Sequence, residues 1–205
     1  MAGRKIVFII PGFGHRPTNK AYTEIAEILK KEGYRPIPIA IPWKQTTISE
    51  NTEYFLKEYK KRLLRQNKTT ARKKVYILGF SFGAMIAFLA ATKIRVSGLI
   101  LCSLSPYFKE DVVNVKNNWI STIKKQRYQD FSKLRYKALA KKVKANQILM
   151  LYGAKETKPL IKRVTAMFRQ ISSPHKYLIP ILKTEHNIGD RRYLYKIHQI
   201  AKELR

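Results

Sequence analysis

The chain has 205 residues and a mass of 24.0 kDa, the length of one domain, and 45% hydrophobic content with twelve Tyr and nine Phe sets aside an intrinsically disordered polypeptide. No apolar run approaches the roughly 18–20 residues that a membrane-spanning helix needs. Forty-two Lys and Arg against thirteen Asp and Glu give a net charge of +29; such a field attracts nucleic acid, anionic lipid or acidic partners, but no helix-turn-helix, zinc or RNP-type signature accompanies it, which favours compositional bias or general polyanion attraction over a dedicated site.

The opening stretch MAGRKIVFIIPGFG imitates a signal peptide, with basic residues ahead of an apolar run. That run ends at Pro11, short of an h-region of about 7–15 residues, and lacks a small-residue cleavage site. KIVFII (5–10) therefore reads as a first strand, continuous in its apolar character as a parallel strand buried on both faces should be. Residues 19–32 place Tyr22, Ile25, Ala26 and Leu29 at helical spacing, and Gly33 supplies a stop. YRPIPIAIP (34–42) is the second strand, and its internal prolines, each lacking a donor, assign it to a sheet edge.

Thr47 and Glu50 have capping-box spacing and open a helix to about Gln66, with Tyr54, Phe55, Glu58, Tyr59 and Arg62 marking an apolar stripe beside a basic face. KVYILGF (74–80) is the central strand, and GAMIAFLAA (83–91), apolar all round, is a helix buried against the sheet. VSGLILCSL (96–104), NQILMLYG (146–153) and HKYLIPIL (175–182) are the remaining strands. Helices follow the last two: Pro159 opens one to about Ile171, and residues 190–204 form another. Strands alternating with helices imply right-handed βαβ units, so the expected fold is α/β: a three-layer α/β/α sandwich with a mainly parallel six-stranded sheet and one domain over 1–205. The alternation breaks only at 107–145, too long for one crossover helix, which reads as an inserted, basic, helical, lid-like segment over the strand ends. Tyr107, Trp119, Ile120 and Phe131 give that segment an apolar face; its Lys-rich helices fit either a cap selecting an anionic or acyl substrate or a solvated cover.

Active groups in such sheets collect at the carboxyl ends of the strands. There the sequence GFSFG puts Ser81 between Gly79 and Gly83, at a strand-to-helix turn. The spacing alone is weak evidence, arising by chance in roughly one chain in twenty of this length at average Gly and Ser usage. The strand-turn-helix setting is what makes it a nucleophile elbow, whose strained backbone and close approaches require glycine on either side. A serine hydroxyl needs a base to take its proton and a carboxylate to fix the base's tautomer. Of four histidines, His186 follows the last strand at the Ser81 end, and His15 follows the first; His175 begins the last strand at the far end and His198 lies in the final helix. Glu156, after the fifth strand, completes the order Ser81, Glu156, His186, with Asp111 beyond the fourth strand as the competing acid. Glu185 and Asp190 adjoin His186 too closely in sequence to turn back onto its ring.

With GFSFG for the elbow, GAKE for the acid turn, EHN for the base loop and PGFG (11–14) after the first strand, the chain resembles a small α/β-hydrolase from Lys5 onward. The resemblance implies a minimal α/β-hydrolase fold and an oxyanion hole formed by the backbone N–H groups of Phe13 and Phe82, each donor worth about 2.7–4 kcal/mol. The sequence departs from the family in using Glu where Asp is usual, in placing Pro11 where a histidine often stands, and in lacking two amino-terminal strands of larger members.

The expectation is thus a serine hydrolase of carboxylic esters or thioesters acting through an acyl-enzyme on Ser81, with His186 as base and Glu156 as acid. A peptidase or an acyltransferase would share this machinery, because the pocket chooses the acceptor. The alternative from another class is a weakly active or inactive hydrolase-fold protein that binds nucleic acid or another polyanion through its charge. No metal or organic cofactor is expected, since neither a ligand cluster nor a dinucleotide fingerprint is present. The partner is a small acyl substrate, with no transmembrane segment. Cys102 cannot form an internal disulfide and reads as a small buried hydrophobe, leaving cytoplasmic residence as the default. Trp43 and Trp119 line an acyl pocket or pack in the core.

Overall fold

The computed structural model describes residues 5–64, 73–112 and 124–204. Six strands, β1 (Lys5–Ile10), β2 (Tyr34–Pro38), β3 (Lys74–Phe80), β4 (Val96–Cys102), β5 (Ala145–Gly153) and β6 (Lys176–Ile181), form one sheet in the order β2-β1-β3-β4-β5-β6. All five pairings are parallel, and proline-bearing β2 lies at the edge. The flanking helices are α1 (Lys20–Lys31), α2 (Ile48–Leu64), α3 (Phe82–Lys93), α7 (Lys158–Gln170) and α8 (Arg191–Glu203). Residues 107–145 carry the short helices α4 (Lys109–Val112), α5 (Lys125–Phe131) and α6 (Tyr136–Ala140). Trp119, Ile120 and the expected end of α2 at Gln66 lie outside the described residues.

The strand periodicity of two divides β1 between two cores. Ile6, Phe8 and Ile10 face a layer built from α2, α3 and α7, whereas Val7 and Ile9 face α1 and α8. Phe8 is fully buried and meets Phe55 edge-on at 5.9 Å and Tyr59 at 4.9 Å. Each such ring contributes about 1.5–3 kcal/mol by leaving water. Helix α3 is buried from Phe82 to Ala91 because it crosses the middle of the sheet beneath α2.

Helix α2 begins with the reciprocal capping box read from the sequence: the Thr47 N–H donates to Glu50 Oε2 at 2.7 Å and the Glu50 N–H to Thr47 Oγ1 at 3.1 Å. Its buried face differs from the expected stripe. Ile48, Thr52, Phe55, Leu56 and Tyr59 point inward, whereas Tyr54 lies about 100° further round the helix and is exposed.

Two side-chain clusters fasten the 107–145 segment. Asp130 on α5 accepts from the Ser49 N–H at 3.0 Å and its hydroxyl at 2.5 Å at the start of α2. On the other side, Asp111 on α4 takes a bidentate pair from Arg163 of α7, whose guanidinium also stacks on Tyr136 at 3.7 Å. The parallel register then brings the ends of β1, β3, β4, β5 and β6 to one edge, where Ile10 pairs with Gly79, Phe80 with Cys102 and Gly153 with Ile181.

Candidate active site

Ser81 sits between β3 and α3 with φ 57° and ψ −119°. A positive φ at serine costs on the order of 1–3 kcal/mol and needs firm support. Its N–H donates to the Cys102 carbonyl at 2.9 Å, and its own carbonyl accepts from Ala84 and Met85 at 3.0 and 3.2 Å. The flanking glycines are dictated by close approach. A Cβ on Gly79 would lie 2.3 Å from the Gly83 carbonyl oxygen, and one on Gly83 would lie 2.3 Å from that of Ile10 and 2.4 Å from that of Pro11. The turn thereby presses against the loop that follows β1.

His186, on the loop after β6, places Nε2 3.0 Å from Ser81 Oγ and Nδ1 3.1 Å from Glu156 Oε2. The Glu156 carboxylate, on the turn after β5, is completely buried, and its Oε1 accepts from the Gly153 N–H at 2.9 Å and the Ser103 hydroxyl at 2.5 Å. Ionised, it accepts only, so the Nδ1 proton stays on the histidine and Nε2 offers its lone pair to Ser81. Ser103 gives its only hydrogen to Glu156 and so accepts from Tyr193 O–H at 2.9 Å; that hydroxyl also lies 3.2 Å from the Leu151 carbonyl. Tyr193 is fully buried, which pushes its pKa well above the usual phenol value and keeps the O–H intact. Ser105, also buried, has its hydroxyl 3.0 Å from Ser81 Oγ. With Ser81 donating to His186, Ser105 donates to Ser81.

Ser81, Glu156 and His186 therefore come together. Asp111, the competing acid, does not join them: its carboxylate is taken up by Arg163 and by the Phe108 N–H at 3.0 Å, so its role is to hold α4 on α7. His15 bonds through Nδ1 to Tyr22 Oη at 2.9 Å, and its pKa lies below the ordinary value, first through burial and then through the neighbouring His186. His198 pairs with Glu32, Asp190 caps α8 through the Arg192 N–H, and Glu185 is exposed. Cys102 is buried, and burial raises its thiol pKa well above the usual range. The serines of CSLSP and the C-terminal Tyr193 escaped sequence reasoning. The available signal was the position of Ser103 and Ser105 at the end of the strand beside β3.

The Phe82 N–H opens α3 and, like that of Phe13, has no acceptor among the described residues. Both residues border a cleft of about 400 Å³ that also takes in Ser81, Tyr107, Leu160 and His186. Phe82 packs against both Tyr107, at 5.1 Å, and Phe131, at 5.9 Å, which themselves stack at 5.5 Å, so residues 107 and 131 supply part of the apolar wall. Burial, with Asp111 nearby, pushes the Tyr107 hydroxyl pKa up to about 12. Trp43 meets the Phe13 ring edge-on, centroids 5.6 Å apart, and its indole N–H reaches the His15 carbonyl at 3.3 Å. Arg127 donates to the carbonyls of Trp43 and Thr46 and covers the Phe13 ring at 4.6 Å.

No family model and no curated protein sequence matches the chain. Solved structures do. Est1E from Butyrivibrio proteoclasticus superposes with a TM-score of 0.80 at 16% identity, over 98% of this chain and 86% of that one. The monoacylglycerol lipase of Paleococcus ferrophilus gives 0.73 at 14% identity, over 98% and 95%. Mouse alpha/beta hydrolase domain-containing protein 10 gives 0.70 at 16% identity, over 100% and 91%. The chain has the α/β-hydrolase fold, as its sequence motifs implied. Among the described residues no helix is long and apolar enough to cross a membrane.

Proposed function

We propose that the protein is a serine hydrolase that cleaves carboxylic esters or thioesters through an acyl-enzyme on Ser81. The observation that carries this reading is the unbroken hydrogen-bonded series from buried Glu156 through His186 to a strained Ser81 at the strand ends. His186 Nε2 takes the Ser81 proton as Oγ bonds to the carbonyl carbon, while Glu156 stabilises the imidazolium that results. The carbonyl oxygen gathers negative charge within reach of the Phe13 and Phe82 N–H groups. On collapse, the bond to the leaving oxygen or sulfur breaks and the Nε2 proton passes to it; a water activated by the same nitrogen then releases the acid and restores Ser81. Tyr107, Leu160 and the Phe82 ring suit an apolar acyl group, and the 107–145 segment acts as the rim of that pocket. The superposed Est1E has a structure with ferulic acid bound, which agrees with an acyl pocket walled by aromatic rings.

The test is labelling by a fluorophosphonate probe, with the modified residue located by mass spectrometry. Wild type should label at Ser81, and Ser81→Ala and His186→Ala should not. A folded wild type that stays unlabelled refutes the proposal.

A further inference from the structure

A second cleft, of about 510 Å³, adjoins the first and shares His15, Phe80 and His186 with it, but does not include Ser81. Its outer wall comes from the first turn of α1 and from residues 187–191 leading into α8. The placement bears on the reaction. If Ser81 takes the acyl group into the cleft lined by Tyr107 and Leu160, the departing group must lie where His186 Nε2 can return its proton. His186 lines both clefts, so that position lies at the border with the second.

The two clefts differ in chemistry. Among the described residues, no ionisable side chain lines the acyl cleft apart from Glu156, the imidazoles and the Tyr107 phenol, whereas Lys20, Arg191 and Glu24 line the second. Lys20 lies 3.8 Å from Glu24 in an exposed pair, and Arg191 has no ion-pair partner among the described residues, which leaves one positive charge over. Two asparagines are turned to donate. Asn19 Oδ1 accepts from the Arg16 N–H at 2.9 Å and Asn187 Oδ1 from the Gly189 N–H at 2.9 Å, so each amide NH2 is left for a ligand. His15 follows the same logic. Buried Tyr22 Oη accepts from the Gly12 N–H at 2.8 Å and gives its hydrogen to His15 Nδ1, which puts the imidazole proton on Nε2 as a further donor.

We propose that this second cleft holds the leaving group, and that the preferred leaving group carries a negative charge, a carboxylate or phosphate, read by Lys20 and Arg191 with Asn19, Asn187 and His15 as supporting donors. The inference rests on the serine-hydrolase reading above and extends it to the alcohol side of the substrate. The step is balanced as there: the acyl carbon exchanges its bond to the leaving oxygen for one to Ser81, and the serine proton leaves on that oxygen through His186.

The experiment compares two aryl esters with the same acyl group, 4-acetoxybenzoate and 4-acetoxybenzamide, each rate being divided by that for alkaline hydrolysis of the ester. Wild type, Lys20→Glu/Arg191→Glu and a control, Lys57→Glu/Lys60→Glu, on the exposed face of α2 are measured at low salt. Wild type should favour the benzoate in kcat/KM by roughly tenfold, the size that two exposed charge contacts reach together. Charge reversal at Lys20 and Arg191 should abolish that preference, and the control should keep it. An unchanged ratio in the first variant, or an equal loss in the control, overturns the proposal, the latter by assigning the preference to the overall field. Failure of wild type to turn over either ester, together with an unlabelled Ser81, would overturn the hydrolase reading instead. The cleft is then judged by titrating the protein with 4-hydroxybenzoate, which should bind more tightly than 4-hydroxybenzamide to wild type and lose that advantage in Lys20→Glu/Arg191→Glu; equal binding of both to wild type overturns it.

Discussion

Replacing Ser103 with alanine deletes the 2.5 Å hydrogen bond to Glu156 Oε1 and leaves that oxygen with the Gly153 N–H alone. Ser103 has φ 51°, a strain that alanine shares, so the hydroxyl is the only difference. A hydrogen bond to a charged group contributes about 1.5–3 kcal/mol net, and a fully buried carboxylate has no water to take up the lost donor, so the expected cost is about 2–3 kcal/mol. Tyr193→Phe removes a neutral partner one step further back and should cost about 1 kcal/mol. The double variant should cost less than the sum, because both deletions act on one network. Urea unfolding of each variant provides the reading. A Ser103→Ala protein no less stable than Tyr193→Phe would refute the relay.

Gly83→Ala puts a methyl group 2.3 Å from one backbone carbonyl and 2.4 Å from another, neither of which can swing aside; it should destabilise the fold by about 1–3 kcal/mol or more, and lower the fluorophosphonate labelling rate beyond the loss of folded protein, by displacing the Phe13 loop. Asp111→Asn breaks a pair whose side chains are only 17% and 8% exposed, so thermal unfolding should show a loss of about 3 kcal/mol, whereas kcat of the folded fraction should hold, as a structural acid requires. His15 should titrate below 6.5 in an NMR series. Since its folded pKa is depressed, the unfolded chain takes up the proton first, and this residue's stability contribution, present above pH 6.5, declines as pH falls toward the folded value.

The strands were legible because burial on both faces leaves few alternatives to a continuous β-branched run, and Gly, Pro and Asn punctuate them. The Ser81, Glu156 and His186 positions could be read from the GFSFG turn and from residue types at strand ends, since a parallel sheet gathers those ends at one edge. What escaped were interactions fixed by side-chain packing across layers. Tyr193 reaches the acid from the last helix through Ser103, a contact spanning 90 residues that no local spacing encodes. Asp111 was open as an acid until the cation facing it, 52 residues on, was known. The Tyr54 misplacement arose because Tyr54 and Phe55 are both aromatic neighbours on a helix, and only packing against the sheet decides which one turns inward.

Arg127 gives the arrangement a consequence of its own. The residue that pins α5 to the carbonyls of Trp43 and Thr46 also rests its guanidinium on the ring of Phe13, whose N–H is the proposed oxyanion donor. Pocket boundary and catalytic donor thus share a single fulcrum. A substitution at Arg127 that widens the boundary for a bulkier substrate would also tilt the Phe13 N–H, which ties substrate range to turnover rate.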